Sequence, residues 1–179
     1  MQHFFRTLFI RSSMLLFLLA AAGCKTENKA LTAYRNFKFD TMVIEKLPLY
    51  DSLASAILEK APIIHKYIHD DDSYRAFRYM PASSEAEVFR KLPIELGTDI
   101  DRYFTTLGKN FIYAFDVFKD STIKIYVRSH TLETKVELEE NLSYYPAGKK
   151  LRQREYPAKD TVLNTHWQYW ARFNNQGLF

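Results

Sequence analysis

The chain has 179 residues, of which 47% are hydrophobic and 26% charged, and a net charge of +4 to which Arg6 and Arg11 contribute two positive charges. That length suits one domain with a sizeable core and is short for two, and the nearly balanced remainder argues against nucleic acid as a partner. Cys24 is the only cysteine, so an intramolecular disulfide is excluded and the fold must rest on its core.

In chain order the first feature is an export signal. Arg6 and Arg11 precede the apolar run from Met14 to Ala22, and the small residues Ala21, Ala22 and Gly23 lead to Cys24. A helix that spans a bilayer needs about 20 apolar residues; this run is about half as long and ends at the polar stretch from Lys25 to Lys29. Ala21-Ala22-Gly23-Cys24 resembles the lipobox of bacterial lipoproteins, with Ala21 where that family usually has an aliphatic residue such as Leu. The resemblance implies a diacylglycerol thioether on Cys24, cleavage before it, and acylation of the new amino terminus by a palmitate-like chain. The alternatives are an ordinary signal that happens to end in cysteine, or an uncleaved anchor. Buried acyl chains contribute about 0.8 kcal/mol per methylene, so the lipidated form would stay on a membrane. The expected layout is a signal peptide over residues 1–23, a lipidated N-terminus and tether over 24–40, and a single α+β domain over 41–179.

Residues 25–40 begin polar and show no clear period, as a tether would, with Tyr34, Phe37 and Phe39 starting the packed part. From Pro48 the positions Leu49, Leu53, Ile57, Ala61, Ile64 and Ile68 recur every three or four residues, the stripe of an amphipathic helix. Pro62 interrupts that stripe and predicts a kink or a second helix opening at the proline. The run from Tyr74 to Met80 is aromatic-rich and reads as a short strand. Ser84 and Glu87 form a capping box for a helix ending near Pro93, and Thr98 can cap another whose face is Ile100, Phe104 and Leu107 and whose stop is Gly108.

Beyond Gly108 the period changes from helical to alternating. Residues 111–118 are apolar on both faces and predict a doubly covered central strand. In the next strand Ile123, Ile125 and Val127 face one way and Lys124, Tyr126 and Arg128 the other. Residues 134–144 repeat the pattern with Val136, Leu138 and Leu142 inward. Further strands are expected over 150–156 and 166–173, with turns at 145–149 and 157–160. Short connections favour N-terminal helices packed on one face of an antiparallel β-meander of about five strands, an α+β fold.

Three side-chain sets are candidates for chemistry. His65 and His69, four apart on a helix and followed by three aspartates, could hold zinc, although Lys66 breaks the HExxH arrangement; a polar flank beside Ile64 and Ile68 is the plainer account. Lys150, Arg152 and Arg154 could grip an anion, or pair across strands with Glu137 and Glu139. For the hairpin between them, Leu142 and Leu151 on one buried face require an even number of loop residues around Pro146 to Gly148. Among the late aromatic residues, Trp167, Tyr169 and Phe173 would face the core. Trp170 would stand opposite among polar neighbours, so it and Tyr144 are the candidate binding residues, unless a helix or the 29–39 tether covers Trp170. No nucleophile elbow or phosphate loop occurs, and no cofactor is implied.

The expected function is therefore a lipid-anchored binding or interaction module of the bacterial cell envelope. It would face either the periplasm or the cell surface, and engage the membrane through its lipid and an envelope protein or small ligand through the domain. The alternatives are an envelope hydrolase whose carboxylates come from distant positions, and an immunity-type lipoprotein that blocks a toxin.

Overall fold

The structure, a computed structural model, describes residues 29–68, 76–81, 94–132, 135–146 and 157–175. The signal, Cys24, His69, the capping-box helix near Ser84, the Pro146 to Gly148 loop and the Lys150, Arg152 and Arg154 face all extend into or lie within residues outside these ranges. Helices α1 (Lys29–Asn36), α2 (Thr41–Glu45), α3 (Leu47–Glu59) and α4 (Ala61–Ile64) come first, then strand β1 (Ala76–Tyr79) and helix α5 (Ile94–Leu107). Strands β2 (Ala114–Phe118), β3 (Ile123–Thr131), β4 (Val136–Tyr144), β5 (Ala158–Val162) and β6 (Trp167–Asn175) follow. The fold is α+β, with an antiparallel sheet of order β1-β2-β3-β4-β6-β5.

The helical stripe behaves as its spacing requires. Tyr50, Leu53, Ala54 and Ile57 are buried along α3, and Ala61 and Ile64 continue the face in α4. Pro62 stands in the first turn of α4, where its missing N–H would have no partner in any case. Helix α5 begins at Ile94, a turn ahead of the expected Thr98 cap, so Gly97 lies inside it; Ile100 and Leu107 are buried and Phe104 packs against the core. Gly108, at φ 80°, takes the left-handed conformation beyond the helix, and its N–H donates to the Phe104 carbonyl.

Among the described residues, the two apolar clusters lie on one face of the sheet. Leu53, Ile57 and Ile64 meet Phe77, Phe115, Val117, Ile123, Ile125, Leu142, Trp167 and Tyr169. A second cluster joins Ala30 to Val136, Leu138, Ala171 and Phe173, with Tyr34 and Phe37 packed on it. This second cluster corrects the expected tether, because the chain is already helical at Lys29 and Ala30 is fully buried. The short α1 stripe is hard to see in sequence because its contacts come from the far end of the chain. The rings of Tyr34 and Phe37 meet Phe173 edge-on, and Lys159 Nζ reaches the carbonyl oxygens of Tyr34 (3.3 Å) and Phe37 (2.8 Å).

The sheet departs from a simple meander at one place. Strand β4 is flanked by β3 and by β6, so Leu142 faces Ile125 on one side and Tyr169 on the other. Both edges of β4 are thus taken by β3 and β6, while the expected strand over 150–156 and its hairpin register lie outside the described residues. Residues 158–160, expected as part of a turn, instead open β5, the edge strand paired with β6. Strand β2 starts at Ala114, later than expected, and is the second strand of the sheet.

Candidate functional site

The face of the sheet away from the described helices carries polar side chains that are nonetheless buried. In register across the strands lie Arg78 and Asp116, then Lys124 beside Asp116, and a row in which Asn141 stands between Tyr126 and Trp170, with Asp160 beyond. Asp116 and Asn141 are fully buried, as are Ser143 and Gln168 to within a few per cent, and Trp170 is only 6% exposed. Strand alternation puts these side chains together, since each is an even step from the next along its own strand.

One end of the face is an ion-paired unit. Arg78 grips Asp116 with both arms, Nε to Oδ1 at 2.6 Å and Nη2 to Oδ2 at 2.8 Å, and also donates to the Tyr126 hydroxyl. That hydroxyl in turn donates to Asp116 Oδ2 at 2.6 Å, so a fully buried carboxylate is answered by three donors. At the centre Lys124 Nζ lies 3.9 Å from the centroid of the Tyr126 ring and 4.8 Å from that of Trp170, and 3.2 Å from Glu139 Oε1. Burial holds the Lys124 ammonium below its ordinary range, with Glu139 opposing the shift. Burial also pushes the Tyr113 hydroxyl up to about 12, and the nearby Glu139 carboxylate adds to the shift.

Asn141 is the exception to this pairing. Neither its Nδ2 nor its Oδ1 has a hydrogen-bond partner, although both atoms are buried. Such a carboxamide forfeits about 1–3 kcal/mol for each unmet group, a cost that native folds seldom carry without a reason. Trp170, the other anchor of the row, settles its own polar atom by donating from Nε1 to Ser143 Oγ at 2.9 Å. The 29–39 segment does not cover Trp170, because it packs on the opposite face against Phe173.

No protein-family model, curated protein or solved structure matches this chain. The site is therefore read from its own geometry.

The sequence candidates are separated by the fold. Tyr144 pairs with Trp167 on the helix-packed face, stacked on His166 at 5.6 Å, so it does not share a surface with Trp170. Helix α4 ends at Ile64, and His65 opens a single 3-10 turn after which Ile68 is extended. His69 and the aspartates that follow it lie outside the described residues, among which no group of three His, Cys, Asp or Glu side chains could hold a metal. Glu139 meets Lys124.

A second polar cluster lies on the core side. A β-bulge between Tyr126 and Arg128 puts Arg128 opposite Glu140, reversing the face that alternation assigns it. Arg128 Nε binds Glu140 Oε1 at 2.5 Å and Nη1 binds Asp40 at 2.8 Å, while the Tyr169 hydroxyl donates to Glu140. The hydrogen bond to Glu140 raises the Arg128 pKa, and burial followed by Glu140 raises that of Tyr169. Beside this cluster an open cleft of about 700 Å³ is lined by Asp40, Met42, Phe111, Tyr113 and Arg128, and a neighbouring one of about 510 Å³ shares Lys109 and Tyr113 with it. Tyr113 links these clefts to the polar face, its ring centroid 5.6 Å from that of Tyr126.

Asp116 was the residue most easily missed. Its strand reads as apolar on both faces, and the only hint is one carboxylate among Ala114, Phe115, Val117 and Phe118 with an arginine two residues after Ala76 in a distant strand. Asn141 gave no signal, because an alternating strand places polar residues on its outer face as a matter of course.

Proposed function

We propose that this chain is a lipid-anchored binding module of the bacterial envelope, held on a membrane through Cys24 and contacting its ligand through the row Tyr126, Asn141 and Trp170. The lipobox-like Ala21 to Cys24 supports the anchor. The observation that carries the binding role is the buried Asn141 carboxamide, unpartnered at both atoms and flanked by two aromatic residues. Aromatic surface with a few placed polar groups is the usual composition of a ligand site. The hydrolase alternative needs a carboxylate available as acid or base, whereas Asp116, Glu139 and Glu140 are each engaged by a cation.

The test uses the full chain in vesicles, with its folding checked by circular dichroism. Envelope material retained by the wild-type chain and lost with Trp170→Ala, at unchanged fold, supports the reading. Equal retention by the two removes this face from the contact. Mass spectrometry of the mature amino terminus tests the anchor separately, since an unmodified Cys24 or cleavage elsewhere would contradict it.

A further inference from the structure

Strand β3 outruns β2. The ladder between them ends where Ala114 faces Tyr126, with a last bond of 3.0 Å from the Tyr113 N–H to the Tyr126 carbonyl. Beyond it β3 continues to Thr131, and among the described strands only β4 accompanies it. Leu132 N–H donates to the Val136 carbonyl, and counting back along β3 in twos makes His130 and Arg128 the residues whose backbone groups face β4. The N–H and C=O of Ser129 therefore point the other way. No described strand lies on that side, and the space there is the cleft of about 700 Å³. Arg128, Ser129 and His130 line it in succession, as consecutive residues do along the edge of a strand.

The rest of the lining says what would fill that edge. Met42 stands in the cleft 54% exposed, an adaptable apolar side chain, beside Phe111. Lys46 Nζ lies 4.7 Å from the Phe111 ring centroid, and Lys109 lines both this cleft and the neighbouring one of about 510 Å³, so a bound chain has a path onward past Tyr113. The charges do not balance. Asp40 already accepts from the Met42 N–H and from Arg128, both at 2.8 Å, and Glu140 holds Arg128 as well. Lys46 and Lys109 have no ion pair among the described residues, so three cations stand against two carboxylates. A free anion such as phosphate would answer the lysines and bring nothing for the Ser129 carbonyl or for Met42. An extended peptide brings an N–H and a C=O to Ser129 and a side chain to Met42, and acidic residues in it bring carboxylates to the lysines. We propose that an extended acidic peptide adds to the open edge of β3 at Ser129, in line with β2, its carboxylates meeting Lys109 and Lys46. This is a second site, beyond the Asn141 row.

The test uses the full chain in a polyoxyethylene detergent and fluorescently labelled hexapeptides, with binding followed by anisotropy. One peptide alternates glutamate with valine, a second alternates lysine with valine, and a third is the glutamate peptide N-methylated along its backbone; inorganic phosphate is the competitor. The expected result is saturable binding of the glutamate peptide that phosphate does not displace, with the other two peptides weaker by about tenfold or more. Lys109→Glu, at an exposed position, should keep its fold by circular dichroism and weaken the glutamate peptide by a similar factor. In nuclear magnetic resonance the Ser129 amide proton should exchange with solvent about tenfold more slowly, or slower still, once the glutamate peptide is bound. Equal binding of the N-methylated peptide, or a Ser129 amide that exchanges as fast as before, overturns strand addition. Equal binding of the lysine peptide, or an unchanged affinity in Lys109→Glu, overturns the acidic ligand. Displacement by phosphate would make the cleft an anion site and overturn the peptide, as would a glutamate peptide that never saturates. Should Lys109→Glu lose its fold, the peptide series and the Ser129 amide of the wild-type chain decide the matter.

Discussion

Arg128 sits opposite Glu140 across β3 and β4, although strict alternation along β3 would put it on the other face with Lys124 and Tyr126. The bulge at Val127 turns it inward. There it bridges Glu140, only 1% exposed, to Asp40 at the start of α2, and so ties the strand to the N-terminal helices.

Removing that arginine leaves a buried carboxylate without its cation. Breaking one partner of a buried pair costs about 3–5 kcal/mol, and the part exposure of Arg128 places the loss near the low end. Urea unfolding of Arg128→Met should show a loss of about 3 kcal/mol. Arg128→Met combined with Glu140→Gln should recover part of it, because the second change removes the orphaned charge; a double variant no more stable than the single one would contradict the pairing.

The N-terminal helix α1 should count as part of the domain. Phe173 is 1% exposed and its ring is met edge-on by Tyr34 at 5.8 Å and Phe37 at 5.3 Å. Truncating such a ring costs about 3–5 kcal/mol. Phe173→Ala and deletion of residues 29–37 should each lower the urea midpoint, and the two losses should add less than fully, because both remove the contacts of Tyr34 and Phe37 with Phe173. Fully additive losses would show that α1 and Phe173 act independently.

Alkaline pH should unfold the protein through its tyrosines. Tyr50, Tyr79, Tyr113 and Tyr169 all have pKa values raised from the ordinary 10.0, chiefly by burial. A raised tyrosine keeps its proton in the folded state after the unfolded chain has lost it. Stability is therefore intact below pH 10 and falls as pH climbs from 10 toward 12, where Tyr113 titrates in the fold. Lys124, lowered by burial, acts in the opposite sense as the unfolded lysine loses its proton toward 10.5, but it is one group against four. Urea midpoints from pH 8 to 12, with tyrosinate absorbance followed alongside, should show the decline beginning near 10 and ionisation occurring together with unfolding. Midpoints rising through this window would reverse the sign.

How much of this could be read from the chain follows from the range of each interaction. The stripe through Leu53, Ile57 and Ile64 and the alternation of Trp167, Tyr169 and Phe173 are local periodicities, and both stand in the fold. The place of β6 between β4 and β5 was not legible, because consecutive strands usually pair, and nothing within residues 136–175 marks which pair is skipped. The side that Arg128 takes depends on one extra residue in β3, a feature that leaves no mark in an alternating sequence. The polar face was legible through Lys124 and Tyr126, on the outward side of their strand, and through Trp170, a large ring among polar neighbours. Its partners Arg78 and Asp116 lie on strands that meet only in the folded sheet.

Asn141 also makes a stability prediction of its own. Replacing an unpartnered buried carboxamide with an apolar group of similar size removes a desolvation cost and leaves no donor or acceptor behind. In protein free of ligand, Asn141→Leu should be more stable than wild type by about 1 kcal/mol in urea unfolding. A loss of that size or more would mean that the amide has bonding partners in solution.

The most direct measurement is a crystal structure of the full chain purified from its own envelope, at a resolution where ordered waters are distinct. The account predicts ligand atoms within hydrogen-bond reach of both Asn141 Oδ1 and Nδ2. An Asn141 carboxamide bonded only to internal waters, or packed dry, would contradict it.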